Sequence, residues 1–194
     1  MEFDTKLKFG NALKEMSKEK SLNKVTVNNI VERGNMTRQA FYYHFHDMYE
    51  LVEWVCRYEL VQKKKDSERG TFEEWTRDLV FTLDKERIFY KKVIRDFDER
   101  LLEHILEELI QRKLEDTLWV LKMKTKTQKE EDYVNFIIHF LTISYVNYLN
   151  RWLLGTDSCE KEEVVEQLSR LVEDIQSGYM RRTDKRWIRT VEFV

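Results

Sequence analysis

Thr26-Val27-Asn28-Asn29-Ile30-Val31-Glu32-Arg33-Gly34-Asn35-Met36-Thr37-Arg38-Gln39-Ala40-Phe41-Tyr42-Tyr43-His44-Phe45 decides the fold, since its apolar and capping residues fit two short helices joined by a tight turn. Thr26 is a good N-cap, and Val27, Ile30 and Val31 make a short apolar stripe ending at Gly34. Gly34 and Asn35 are the residue types that accept positive φ most easily, which suits a turn between helices packed near a right angle. Thr37 caps the next helix. Met36 before that cap and Phe41 four positions into the helix have the spacing of a hydrophobic staple, and Phe45 extends the same buried face by one turn.

Upstream, Phe9, Ala12, Leu13 and Met16 follow i, i+3, i+4, i+7, so a helix is predicted over roughly 5–18. Downstream, Asp47 with Glu50 three residues later opens a fourth helix whose Leu51, Val52 and Val55 point inward, with the first four helices ending near Arg69 and Gly70. Further helices are predicted at about 72–84, 86–96, 98–122, 130–153 and 160–177, with Gly155 and Gly178 closing the last two. The expected architecture is all-α with about nine helices. A three-helix helix-turn-helix domain over 1–47 precedes a helical regulatory and dimerisation domain over 48–194.

The rest of the chain supports this. Its 194 residues are enough to bury a core without staples, and zero prolines, five glycines, 36% charged and 42% hydrophobic residues favour long amphipathic helices. Cys56 and Cys159 are far apart in sequence and give neither a disulfide framework nor a zinc motif. The charged N-terminus lacks the apolar run of a signal peptide, and the most apolar stretch, 136–149, is too short to span a bilayer, so a cytoplasmic protein without a membrane partner is expected. Net charge is only −2, but it is unevenly spread: residues 1–46 carry eight basic and five acidic groups, a net of +3, against −5 for the remainder. A basic head on an acidic body fits a DNA-reading module joined to a regulatory domain.

With Phe41 and Phe45 inward, the third helix presents Arg38, Gln39, Tyr42, Tyr43 and His44. Arginine pairs bidentately with guanine and glutamine with adenine, and both stand at the helix end that reaches base edges in a helix-turn-helix. The tyrosine hydroxyls and His44 suit phosphates, as do the hydroxyls and free N–H groups of Thr26 and Thr37 at helix starts. His44 and His46 diverge on a helix and have no third ligand nearby, so no metal is expected. No nucleophile, base and orienting acid share a recognisable spacing, so neither catalysis nor a cofactor is expected.

The segment from Thr26 to Phe45 resembles the signature of the TetR/AcrR family of transcriptional regulators. Arg38 to Phe45 followed by Tyr49-Glu50-Leu51 and Trp54 most resembles its dihydroxyacetone-kinase-operon (DhaS-like) subgroup. The resemblance is close over the first 60 residues or so and rests beyond them on the number, length and order of helices. It implies a homodimer on a palindromic double-stranded operator, with affinity controlled by a small-molecule effector or a protein co-regulator. Departures from the pattern are Asn35 for a glycine in the turn, Gln39-Ala40 for Gly-Thr, and Met48 for a phosphate-binding lysine. Lys24 or the lysines of the first helix are expected to supply the missing charge.

The helix over 130–153 is apolar on more than one side and needs a second surface. A subunit interface is expected from Phe136, Phe140, Tyr148 and Trp152 with Val165, Leu168 and Val172. Trp75, Leu79, Phe89, Tyr90, Trp119, Tyr145 and Tyr148 either line an aromatic effector cavity or serve as plain core. The basic tail Arg181, Arg182, Lys185, Arg186 and Arg189 reads as a terminus rather than a DNA contact. Two rival readings are a helical co-regulator acting by protein–protein contact without operator binding, favoured by Met48 and the mild charge of the head, and a small-molecule-binding bundle. Neither explains the polar cluster on the third helix.

Overall fold

The computed structural model describes residues 2–62, 70–156 and 158–191, with the side chains of Glu2, Glu99 and 183–191 left aside. Its regular structure is helical: α1 (Glu2–Glu19), a 3₁₀ turn (Leu22–Lys24), α2 (Val27–Arg33), α3 (Arg38–His44), α4 (Met48–Leu60), α5 (Phe72–Lys85), α6 (Arg87–Lys92), a π turn (Val93–Phe97), α7 (Glu99–Thr117), α8 (Trp119–Met123), α9 (Gln128–Leu154) and α10 (Lys161–Val191). The all-α expectation holds, with ten α-helices among the described residues.

The head is built around α1, whose Phe9, Ala12, Leu13 and Met16 are buried as the periodicity requires. Phe9 meets Phe41 and Phe45 edge-on, with ring centroids 5.4 and 6.0 Å away, so α1 fixes the inner face of α3. Helix α1 also packs on α4, where Gly10 is tight: a Cβ there would stand 3.0 Å from Val55 Cγ2. From α4 the chain enters the body, in which α7 lies on α9, and α10 on α5.

The caps read from sequence at Thr26, Thr37 and Asp47 are present, and Thr71, Asp98 and Thr127 join them. Each accepts a backbone N–H into the first turn. Glu50 reaches back to the His46 N–H at 2.6 Å, completing the reciprocal start of α4.

Four boundaries differ from expectation. Helix α4 ends at Leu60 rather than near Arg69, which lies outside the described residues. The segment expected at 86–96 is α6 running into the π turn, closed by the Asp98 N–H on the Val93 carbonyl at 3.1 Å. The helix expected over 98–122 breaks at Leu118, whose ψ of 7° leaves the helical region and redirects the chain into α8. Gly178 does not close α10. A closing glycine needs the left-handed conformation, which Gly155 adopts at φ 78° and Gly178 does not, and an interior glycine costs a helix only about 1 kcal/mol.

Candidate nucleic-acid interface

The two-helix segment folds as its caps dictate. Thr26 Oγ1 accepts the Asn29 N–H, and Asn29 Oδ1 accepts in return from the Thr26 N–H at 3.1 Å and the Thr26 hydroxyl at 3.0 Å. Thr37 Oγ1 accepts from the Ala40 N–H at 3.0 Å. Between the helices Asn35 takes the left-handed conformation, φ 49°, whereas Gly34 stays right-handed at φ −83°. A Cβ at Gly34 would stand 2.1 Å from the end of the Met36 side chain, which would have to swing aside to admit it. That side chain packs partly buried against the core that contains the fully buried Phe41, in keeping with its staple spacing.

On this scaffold α3 turns its polar groups outward. Arg38 and Gln39 are exposed at its first turn, and Tyr42 and Tyr43 are 55% and 75% exposed, high for residues that large. His44 is only half exposed. Its ring lies edge-on to Tyr43, with centroids 4.9 Å apart, and its Nδ1 is buried without a hydrogen-bond partner, so only Nε2 is left to meet a phosphate. The threonines are not equivalent. The Thr26 hydroxyl both accepts from and donates to Asn29 and has no hydrogen to spare, whereas the Thr37 hydroxyl accepts from the Ala40 N–H and its hydrogen is not used in that cap.

Lys24 is exposed at the end of the 3₁₀ turn, beside the start of α2, and suits a phosphate. The lysines of α1 divide. Lys8 and Lys18 are exposed, but Lys14 is held by Glu59 of α4 at 2.9 Å and Glu86, the residue opening α6, at 3.0 Å, which takes it out of the set available to DNA. Met48 packs partly buried against the core, so its position offers no phosphate contact.

The expected dimer face separates into two groups. Phe136 and Phe140 stand out from α9 at 59% and 58% exposure, the Phe136 ring stacked on those of both Tyr133 and Phe140, and Ile143 of α9 and Leu171 of α10 are exposed as well. Trp152, Val165, Leu168 and Val172 are buried inside their own chain and correct that expectation. The Trp152 indole donates to the Cys159 carbonyl at 2.9 Å and the Arg87 guanidinium covers its ring, while Val165, Leu168 and Val172 lie on the face of α10 that is buried within the chain. Tyr148 is half-buried and donates to Gln167 at 2.6 Å, bridging α9 and α10. Tyr133 and Ile143 were missed in the sequence, although Tyr133, Phe136, Phe140 and Ile143 recur at i, i+3, i+7, i+10.

Of the aromatic set proposed to line a cavity, Trp75, Leu79, Phe89, Tyr90 and Tyr145 are core residues. Tyr145 donates to the Leu168 carbonyl at 2.5 Å, whereas the Tyr90 hydroxyl is buried without a partner. Trp119 does not join them, since it is 59% exposed on α8, and Tyr148 is only half-buried. Arg181 and Arg182 are exposed, and the side chains of Lys185, Arg186 and Arg189 fall outside the described residues. No helix among the described residues is long and apolar enough to cross a membrane.

Known proteins share both halves of this arrangement. Residues 11–55 match the family described as bacterial regulatory proteins, tetR family, and residues 70–174 match that described as transcriptional regulator C-terminal region. A curated relative, the HTH-type dhaKLM operon transcriptional activator DhaS of Lactococcus lactis subsp. lactis (strain IL1403), is 25% identical over 119 residues. That match takes in 56% of this chain and 63% of the relative, so the chain spans less than two thirds of that relative's length. A solved structure of a dihydroxyacetone kinase operon activator DhaS superposes with a TM-score of 0.74 at 18% identity, over 89% of this chain and 96% of that one, and shows the shared fold. With a reading head of this geometry on a body matched over more than half of the sequence, the chain belongs to the TetR family of bacterial regulatory proteins.

Proposed function

We infer that this chain is a sequence-specific DNA-binding transcriptional regulator acting as a homodimer on a roughly palindromic operator. The observation that carries the reading is the outward Arg38, Gln39, Tyr42 and Tyr43 on a helix whose opposite face is locked by Phe41 and Phe45. Exposed tyrosines at this density need a use, and a major groove supplies one. Arg38 and Gln39 read base edges, while Tyr42, Tyr43, His44 Nε2, Thr37 and Lys24 hold phosphates and set register.

The second copy docks on the apolar stripe Tyr133, Phe136, Phe140 and Ile143 of α9 with Leu171 of α10. Joining two bodies there carries two copies of α3 into successive major grooves about 34 Å apart. An effector or protein co-regulator acts by preferring a body conformation with a different head spacing, and its differential affinity is the whole of the control. Titrating purified chain against DNA upstream of its own coding sequence, at several salt concentrations, tests the reading. Specific retention with a steep loss of affinity on added salt is expected, and binding no stronger than to unrelated DNA overturns it.

A further inference from the structure

The head is tied to the body by a strut that does not pass through α4. Lys92, the last residue of α6, donates from Nζ to the Lys20 carbonyl at 3.1 Å. Lys20 in turn donates from its own Nζ to Asn29 Oδ1 at 2.6 Å, the same oxygen that caps α2 through Thr26. One residue further on, the Ser21 hydroxyl donates to Asp96 Oδ2 at 2.6 Å, and Asp96 lies in the π turn. The turn between α1 and α2 is thus held from the body side at Lys20 and Ser21, and from the head side at Asn29.

We propose that Lys20, Ser21, Lys92 and Asp96 are positioning residues for operator recognition, through which the π turn of the body sets where α2 and α3 sit relative to the dimer contact. The inference rests on the regulator reading above. If two bodies are joined through α9, the distance between the two copies of α3 depends on how each head is fixed to its own body, and the strut fixes the N-terminal end of α2, the helix on which α3 packs. Nothing in the strut touches the outward groups of α3, so it acts on spacing and leaves base contact alone.

The π turn suits this task. Such turns are rare, recur at functional sites, and hold an extra residue within the helical ladder. Here the closing bond runs from the Asp98 N–H to the Val93 carbonyl, five residues back. A change of one residue in register turns the chain on one side by about 100° relative to the other, which carries Asp96 away from Ser21. The same turn holds the start of α4, since Phe97 stacks on Tyr49 at 5.7 Å between ring centroids. A body conformation that alters this turn loosens head and connecting helix together.

The test uses duplexes that the wild-type chain selects from a random pool, then versions with one base pair added or removed between half-sites, about 3.4 Å each, and a duplex with one half-site. Wild type is expected to bind the altered spacings at least about tenfold more weakly than the selected one. Asp96→Ala and Ser21→Ala are expected to bring that penalty below about threefold, as loss of a charge-assisted hydrogen bond allows, while half-site affinity stays within about twofold. Ser21→Thr, which keeps the hydroxyl, is expected to restore the penalty. Lys92→Met removes the other bond without altering the head and serves if Asp96→Ala does not fold. Unchanged spacing discrimination in the variants overturns the proposal, as does a half-site affinity that falls in parallel, the mark of a merely destabilised head. A wild-type chain that selects no duplex overturns the regulator reading itself, a result distinct from either.

Discussion

Lys14 Nζ lies 3.0 Å from Glu86 Oε1 and joins the first helix of the head to the start of α6 in the body, with Glu59 of α4 completing the triad at 2.9 Å. All three side chains are largely buried, so removing one leaves the others poorly solvated. Lys14→Met is expected to lower unfolding free energy by about 2 kcal/mol, read from urea titrations.

The same triad has a pH signature. Burial by itself would lower the Lys14 pKa, but hydrogen bonds and charge from Glu59 and Glu86 outweigh it and hold the ammonium above its usual 10.5. A group whose pKa is raised by folding adds stability in full below its unfolded value and loses it as pH climbs through the folded one. The difference in stability between wild type and Lys14→Met should therefore be flat from pH 7 to 9 and shrink only above about 10.5, followed by denaturation at each pH. A difference that closes already near neutrality would assign the effect to something other than the ammonium.

On α9, Phe136→Glu and Phe140→Glu should leave the folded chain intact, since both rings already face solvent. If the stripe receives a second copy, each places a charge at the centre of an apolar contact. The dimer dissociation constant is expected to rise by at least about 30-fold, the effect of losing a central anchor worth about 2 kcal/mol, as measured by sedimentation equilibrium. Trp152 is the contrasting position: it is buried in its own chain, and Trp152→Ala should cost about 3 kcal/mol or more in monomer stability.

These two groups show where reading the sequence succeeds and where it stops. Periodicity identifies apolar residues, and it found Phe136 and Trp152 alike, but it cannot say which apolar face meets its own chain and which meets another. That depends on how α9 packs on α7 and is bonded to α10 through Tyr145 and Tyr148, a tertiary fact. The head was legible because its signals are local: a threonine cap, a staple four positions on, and a positive-φ turn lie within 20 residues. Lys14 was read as a surface lysine because Glu59 and Glu86 are 45 and 72 residues away. The break at Leu118 and the π turn at Val93–Phe97 leave no compositional mark, since both occur in sequence that would otherwise continue a helix.

The turn of the reading motif gives a backbone prediction. Asn35 sits at φ 49°, where a side chain with no local hydrogen-bonding capacity is strained. Asn35→Ala is expected to cost about 1 kcal/mol, and Asn35→Gly to be neutral or stabilising, by thermal denaturation. Equal stabilities for the two variants would mean that the left-handed conformation is not kept in solution.

If the outward groups of α3 meet DNA as proposed, substitution separates base reading from phosphate contact. Arg38→Ala should cost about 1–3 kcal/mol on the selected operator and less on operators changed at the one base pair it reads, because the lost contact is specific to that pair. Tyr43→Phe, which removes only a hydroxyl from an exposed ring, should weaken binding to every operator by a similar factor. Lys24→Ala should do the same and also reduce the slope of log affinity against log salt by about one, since one fewer counterion is released. The slope is the sharper readout, because a loss of fold lowers affinity without a defined change in counterion number. If Lys24→Ala leaves the slope intact, the charge missing at Met48 must come from the exposed Lys8 or Lys18 of α1, and the same measurement on those two variants identifies it.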